Sequence, residues 1–404
     1  MDLIAEKLSQ AATLVAASDL DVWLTFVRET AEGGDPALPF LIEGGMTWQS
    51  AFLVFRSGRR IAIVGNYDAD PLFASGHWDE VVPYVQGIRE PLLTVLSKET
   101  AGTNQSAPSE GAYRVGVNYS TDDVKADGLS HGMHLLLAEY LEGHPYELVS
   151  AAEVVGSLRA LKTPTEIQRI EKAIEETEAI FGALPAQGLI GRSEREAYDL
   201  IQGWINQRGF GYGWDKAGNP IANSGPDSMI GHGVPSSEIR IGPGHIFHID
   251  LGIVVEGYSS DIQRCWYVPK PGETELPRDV ESAFAAVYGA ISAGAAAMKP
   301  GVEGWQVDEA ARSYLVGQGY EEYLHAFGHQ VGRMAHDGGT VLAPRWERYG
   351  RTPFGKLREN EVYTLELGVT PPGRGYLGIE EIVVVTAAGI RWLSDRQESM
   401  QLLD

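Results

Sequence analysis

HIDLGIVVEGYSSDIQR, residues 248–264, reads as strand, tight turn, strand. Its polar and apolar residues alternate. His248, Asp250, Gly252, Ser259, Asp261 and Gln263 fall on one face, and Phe247, Ile249, Leu251, Ile253, Ile262 and Trp266 on the other. A period of two gives the apolar face to a core and the acidic face to a cavity. A symmetric turn about Val255 and Glu256 sets Asp250 directly opposite Asp261. Residues 364–385, TLELGVTPPGRGYLGIEEIVVV, repeat the pattern. A turn about Gly373 sets Glu366 opposite Glu380, with Tyr363, Leu365, Leu367, Leu377, Ile379 and Val383 on the reverse face. Cross-strand neighbours have Cβ atoms about 4.5–5.5 Å apart. Like charges so placed repel by roughly 3 kcal/mol at an effective dielectric near 20. One acidic hairpin is as easily a solvated one. Two of them, with small neighbours on the acidic face, call for a cation, and a metal centre is the economical choice.

Between the hairpins lies HAFGHQVGRMAHD, residues 325–337, with His325, His329 and His336. Neutral imidazole is the commonest protein metal ligand and shuttles protons near neutral pH. The spacing of His325 and His329 would place both on one face of a helix, but Gly328 and Gly332 argue for a loop that approaches something closely. His232 sits in the loop NPIANSGPDSMIGHGVP, residues 219–235. Alone it would be an ordinary polar loop residue; the other sites give it interest.

Asp250, Asp261, His329, Glu366 and Glu380 are thus the candidate ligands. Four carboxylates and a neutral imidazole carry −4, which two divalent ions balance. Oxygen-rich ligation suits Mn²⁺, Co²⁺ or Fe²⁺ better than structural zinc. Two such ions about 3.5–4 Å apart can share a water and polarise a carbonyl, which is machinery for hydrolysis. The chain has no GxxxxGK[ST] loop and no GxSxG elbow, and Cys265 has no evident base beside it. Phosphate recognition and covalent catalysis are the weaker readings.

The chain has 404 residues, 44% hydrophobic and 22% charged, enough for two domains of ordinary globular composition. Its net charge of −23 disfavours nucleic acid and anionic membranes as partners. Cys265 is the only cysteine, so no intrachain disulfide forms and a reducing cytoplasm fits. The start, MDLIAEKL, lacks the basic and apolar regions of a signal peptide, and no uninterrupted apolar run is long enough to span a bilayer.

Strands and helices alternate through residues 1–157, which predicts an α/β domain. Beyond it come a helix over about 165–184, capped by Thr163 or Thr165, and a second that stops at Gly209. The His232 loop and the first acidic hairpin follow. Helices over about 278–298 and 304–318, the histidine segment and the second hairpin complete residues 158–404. The order helix, helix, hairpin occurs twice, which hints at internal duplication. Residues 338–360 have little periodicity and predict a loop that shapes or covers the cleft.

The spacing Asp-x10-Asp, then HxxxH-x6-H, then two hairpin glutamates resembles the dinuclear metallopeptidases of the pita-bread fold. That group includes Xaa-Pro dipeptidase (prolidase), aminopeptidase P and methionine aminopeptidase, and creatinase shares the fold without metals. The resemblance covers the whole chain. It implies an α/β N-terminal domain over residues 1–157 and an α+β pita-bread catalytic domain over 158–404. It implies two divalent ions, expected to be Mn²⁺, with Co²⁺, Zn²⁺ or Fe²⁺ as alternatives. Asp250 would bind one ion, Asp261 and Glu380 both, and His329 and Glu366 the second. Glu366 would be the general base. His232 and His336 would hydrogen-bond the substrate and the tetrahedral intermediate, and His325 would shape the proline-side pocket. The expected reaction is hydrolysis of Xaa-Pro dipeptides in a cytoplasmic homodimer. The alternatives are aminopeptidase P-like cleavage of longer Xaa-Pro peptides, or non-peptide chemistry as a lyase or amidinohydrolase. Two departures stand out, and one is the long interval from His336 to Glu366 that holds the loop over residues 338–360. In the other, the family carries an arginine two residues before the second glutamate, where this chain has Gly378. Arg374 or Tyr376 in the adjoining turn, or a residue of a partner subunit, is the candidate to replace it in substrate binding.

Overall fold

The computed structural model describes every residue except Met1, Glu32, residues 102–110, His232 and Asp404. It divides into two compact units, Met1–Arg159 and Ala160–Asp404.

The first unit begins with α1 (Leu3–Ala17), capped by the Asp2 carboxylate, which accepts from the N–H groups of Ile4 and Ala5. Six strands follow: β1 (Val22–Val27), β2 (Ser50–Phe55), β3 (Arg60–Gly65), β4 (Glu80–Tyr84), β5 (Tyr113–Val117) and β6 (Tyr146–Ser150). They form one sheet in the order β4-β3-β2-β1-β5-β6, antiparallel through β3-β2-β1 and parallel at both flanks. Helices α2 (Ala69–Ser75), α3 (Arg89–Ala101), α4 (His131–Leu141) and α5 (Ala152–Ala160) complete it. Alternate strand residues feed two cores. Trp23, Phe52, Val54 and Val64 pack with Leu8 and Leu158, while Leu24, Leu53, Ile61 and Ile63 pack with Leu92, Leu96 and Leu137. A sheet covered on both faces needs apolar residues on both, which is why AFLVF and IAIVG show no alternation.

In the second unit, α6 (Pro164–Ala183) starts at Thr163, whose hydroxyl accepts from Glu166 N–H while the Glu166 carboxylate accepts from Thr163 N–H. The helix α7 (Glu194–Arg208) ends at Gly209, whose φ of +70° suits glycine. Strands β7 (Gly211–Tyr212), β8 (Ile221–Ser224), β9 (Ile246–Leu251), β10 (Ile253–Val255), β11 (Tyr258–Ser259) and β12 (Ile262–Tyr267) follow. Then come α8 (Arg278–Ala297), α9 (Gly304–Gly317) and the strands β13 (Val362–Val369), β14 (Leu377–Thr386) and β15 (Gly389–Trp392). Two helices followed by a β-ribbon thus occur twice. By length and composition α8 could cross a bilayer, yet its Val280, Phe284, Val287 and Ile291 share a core with Leu365, Ile379 and Val383 of the second ribbon.

The second ribbon pairs Glu366 with Glu380, the register the sequence predicts. The first differs. It turns on Glu256-Gly257, both at positive φ (+50° and +80°), as a two-residue hairpin of the primed kind requires. Asp250 therefore faces Gln263, and Asp261 lies diagonal to Asp250. The displacement from the expected pairing is two residues. Side chains change face on a one-residue slip and keep it on a two-residue slip, so Asp250 and Asp261 still share a face. The ribbon is also broken at Gly252 and at Ser260–Asp261, between the longer pair β9/β12 and its tip β10/β11.

Candidate metal centre

Asp250 is the penultimate residue of β9, Asp261 precedes β12, and Glu366 and Glu380 oppose each other in the second ribbon. The segment 325–337 is irregular, held by bridges from Gly328 to Leu342 and from Gln330 to Tyr363. Glycine is required here: a Cβ at Gly328 would lie 2.0 Å from the Thr364 carbonyl oxygen. That close approach delivers His329. Its Nε2 lies 3.6 Å from Asp261 Oδ2, 3.7 Å from Glu366 Oε1 and 3.9 Å from Glu380 Oε1. Ligand atoms of Asp261, His329 and Glu380 all fall within 4.8 Å of one another. Side-chain exposure falls from 19% for Glu366 through 12% for His329 and 7% for Asp261 to 1% for Glu380. The cluster is therefore reached from the Glu366 side.

These contacts join acceptors to acceptors. Nδ1 of His329 faces the Gln330 carbonyl at 3.4 Å, so that nitrogen carries the proton and Nε2 turns its lone pair to the acids. Burial, with His336 adding to it, lowers the His329 pKa to about 3 and keeps the ring neutral. Burial also raises the Asp250 carboxyl well above its ordinary value, reinforced by Glu366. It does the same to Asp261, reinforced by Asp250 and Glu366, and to Glu380, reinforced by Asp261 and Glu366. Glu366 is pushed up to about 7 by burial, with a Gln263 hydrogen bond opposing. Asp250 Oδ1 and Glu380 Oε1 are buried with no hydrogen-bond partner. Buried acceptors turned on one another are satisfied by a cation. The donor set, four carboxylates and one oriented imidazole, fits divalent ions that favour oxygen.

The His336 ring lies 4.2 Å from the His329 ring, centroid to centroid, and is exposed at the mouth of the cluster. The His325 ring is exposed too, 5.6 Å from Tyr323. His232 lies outside the described residues. Its loop is anchored on both sides by the buried Glu194 carboxylate, which accepts from Ser224 N–H (2.7 Å), Ser228 Oγ–H (2.6 Å) and Ser236 N–H (3.0 Å). Glu194 carries no signal in the sequence, since it reads as an ordinary first-turn helix acid.

The turn residues separate. Arg374 is not brought to the acids. Its guanidinium makes two hydrogen bonds to Asp279 (2.8 and 3.1 Å) and others to the Gly244 carbonyl and the Tyr267 hydroxyl. Tyr376 is brought there. Gly368 and Gly378 face each other across the ribbon, and a Cβ at either would lie 2.4–2.5 Å from the Tyr376 side chain. The two glycines form a slot that the ring fills, which leaves no room for an arginine at 378. Tyr376 meets the His248 ring edge-on at 4.9 Å and shares a hydrogen bond with Tyr323.

The predicted loop over 338–360 is tied down. Leu342 bridges Gly328, and Arg345 stacks on Trp305 of α9 at 4.2 Å. Arg312 of α9 donates to the carbonyls of Tyr323 and His325 and fixes the segment leading to the site.

Arg264 clamps the two ribbons together. It donates to the Glu380 carbonyl (2.9 Å), Glu381 Oε2 (3.0 Å) and the Asp395 carbonyl (2.7 Å). Glu178 lies 3.9 Å from it, and burial raises its carboxyl to about 7. A folded-state pKa above the unfolded value means a contribution fully present below the unfolded pKa and lost as pH rises through the folded one. Stability should therefore decline between about pH 4.5 and 7 through this group. Glu178→Gln should flatten that decline and add about 2–3 kcal/mol at pH 8. Urea midpoints of both proteins at pH 5 and pH 8 measure this; parallel declines would contradict it.

The sequence profile of metallopeptidase family M24 matches residues 168–387. The chain is 28% identical over 309 residues to an Xaa-Pro dipeptidase of Pyrococcus horikoshii, covering 76% of this chain and 83% of the relative. It is 32% identical over 249 residues to an Xaa-Pro dipeptidase of Pyrococcus furiosus, covering 61% and 67%. Among solved structures, dipeptidase PepE from Mycobacterium ulcerans superposes with a TM-score of 0.74 at 24% identity, covering 99% of this chain and 98% of that one. A prolidase from Pyrococcus horikoshii superposes at 0.66 and 22% identity, covering 97% and 99%. With the profile spanning both acidic ribbons and the histidine segment between them, this chain belongs to metallopeptidase family M24.

Proposed function

We propose that this chain is a metal-dependent Xaa-Pro dipeptidase, which hydrolyses the bond before proline. The observation that carries the reading is the buried cluster of Asp261, His329 and Glu380, with Glu366 at its open side. Its relatives named as Xaa-Pro dipeptidases support the substrate class. Asp250, Asp261, His329, Glu366 and Glu380 would hold two divalent ions, Mn²⁺ foremost for the oxygen-rich donor set. When bound, the ions supply a water of lowered pKa and polarise the scissile carbonyl.

The chain's own groups do the rest. Glu366 would accept a proton and pass it to the leaving amine, and its being the most exposed of the acids around His329 supports that role. His336, at the mouth beside His329, donates to the substrate carbonyl oxygen as charge develops there. His232 is assigned the companion role, and His325 the wall of the proline-side pocket. We also propose a cytoplasmic homodimer, as the single cysteine and the family resemblance support.

The chain loaded with Mn²⁺ and offered Xaa-Pro, Xaa-Pro-Xaa and Met-Xaa peptides should cleave Xaa-Pro fastest. Preference for Xaa-Pro-Xaa would make it aminopeptidase P-like, and no cleavage with metal bound would remove the reading.

We assign the substrate's carboxyl end to the hydrogen-bonded hydroxyls of Tyr376 and Tyr323, since Arg374 is committed to Asp279. Tyr376→Phe should raise the KM for Xaa-Pro by about tenfold, the worth of a hydrogen bond to a charged group. Arg374→Ala should leave KM unchanged. Steady-state kinetics decide, and the reverse pattern would return the role to Arg374.

A further inference from the structure

The acidic face of the first ribbon carries two side chains that no part of the reaction above uses. Gln263 sits opposite Asp250, and His248 lies two residues before Asp250 on the same face. Both are buried, at 5% and 3% exposure. The Gln263 amide reaches from the first ribbon to the second. Its Nε2 donates to Glu366 Oε2 at 2.8 Å, and its Oε1 meets His248 Nε2 at 3.0 Å.

With Glu366 ionised, as a metal ligand must be, only one assignment of these atoms is consistent. A carboxylate accepts and cannot donate, so the NH₂ end of Gln263 must face Glu366. The amide oxygen then faces His248, whose Nε2 must carry a proton. The other ring nitrogen faces Asn223 Oδ1 at a long 3.4 Å. The absence of a side chain at Gly378 gives the amide its room. A Cβ at Gly378 would lie 2.7 Å from Gln263 Oε1, and the Tyr376 ring packs edge-on against His248. The next residue, Arg264, ties the same strand to the Glu380 carbonyl and the Glu381 carboxylate.

We infer that Gln263 is a positioning residue for Glu366. One Glu366 oxygen is held by the amide, which turns the other toward Asp261, His329 and Glu380, and His248 fixes which way the amide points. Glu366 is the acid most exposed of those around His329, so packing constrains it least and it has most to gain from a fixed partner. This inference rests on the metallopeptidase reading and extends it to a group not itself a ligand.

The test uses the full-length chain and two variants. Gln263→Met keeps the length and removes the donor. His248→Phe keeps the ring against Tyr376 and removes the group that orients the amide. Mn²⁺ affinity is measured by calorimetric titration, alongside kcat, KM and melting temperature. Gln263→Met should weaken Mn²⁺ binding, or lower kcat of the loaded enzyme, by about 10–100-fold, as loss of an outer partner of a ligand does. KM should change by less than about threefold. His248→Phe should cause a smaller loss in the same direction. The double variant should be no worse than Gln263→Met alone, since the histidine acts only through the amide. Unchanged Mn²⁺ affinity and kcat in Gln263→Met would overturn the inference, as would fully additive losses. If Gln263→Met does not fold, His248→Phe alone decides by the same readouts. A chain that binds Mn²⁺ but hydrolyses no Xaa-Pro peptide overturns the proposed function and leaves the affinity test in force. A chain that binds no Mn²⁺ overturns both.

Discussion

Glu380→Gln should lower hydrolysis of Xaa-Pro dipeptides by roughly 10³-fold, about 4 kcal/mol of transition-state stabilisation. Glu380 is the deepest of the acids around His329, and its Oε1 has no hydrogen-bond partner. Glutamine keeps the shape and removes the charge, so both divalent ions would lose a carboxylate ligand. The same change should act oppositely on the metal-free chain. Burial and the charges of Asp261 and Glu366 already push the Glu380 carboxyl up, so a neutral amide relieves repulsion. The metal-free variant should be more stable by about 1–3 kcal/mol, while added Mn²⁺ should raise the wild-type melting temperature further than the variant's. Thermal melts with and without Mn²⁺, beside initial rates, measure both signs. A variant that keeps its rate, or melts lower without metal, would contradict the account.

Lys162→Met should be the most damaging change outside the cluster. Lys162 Nζ and Asp337 Oδ2 pair at 2.9 Å with side chains 0% and 1% exposed. Breaking such a pair strands a buried charge and costs about 3–5 kcal/mol. Asp337 follows His336, and its N–H donates to the Gln330 carbonyl that also faces His329 Nδ1. The ion pair therefore seats the segment that delivers both histidines. Gly332 exists for it: a Cβ there would lie 2.1 Å from Asp337 Oδ2 and 2.8 Å from Lys162 Nζ. Urea unfolding should show the full loss in Lys162→Met. Replacing both partners, as Lys162→Met with Asp337→Leu, should recover most of it, because no unpaired charge remains. A single-variant loss under about 1 kcal/mol would show that the pair does not hold the segment.

The acidic faces were legible in the sequence because period two survives an error in the turn. Symmetry puts the first turn on Val255-Glu256, whereas Glu256 takes a positive φ that a non-glycine residue seldom adopts. Two contacts from α6 hold that turn: Lys172 pairs with the Glu256 carboxylate, and Arg169 donates to the Glu256 carbonyl. Neither is local, so nothing in the hairpin itself announces them. The register of the second ribbon is legible because Gly373 lies at its midpoint and the strands run without a break. The groups that support the ligands were harder to see. Gln263 and His248 showed only as neighbours on the polar face. Lys162 and Asp337 are 175 residues apart, and no periodicity links a charge in a turn to one in a loop. Arg374 looked well placed by its proximity to Gly378, and it was Asp279, at the start of α8, that drew it away.

The most direct measurement is diffraction from the chain grown with Mn²⁺, collected at the manganese absorption edge. Two anomalous peaks per chain are expected, both enclosed by Asp250, Asp261, His329, Glu366 and Glu380. No peak among these five side chains, with Mn²⁺ present in solution, would contradict the two-ion centre.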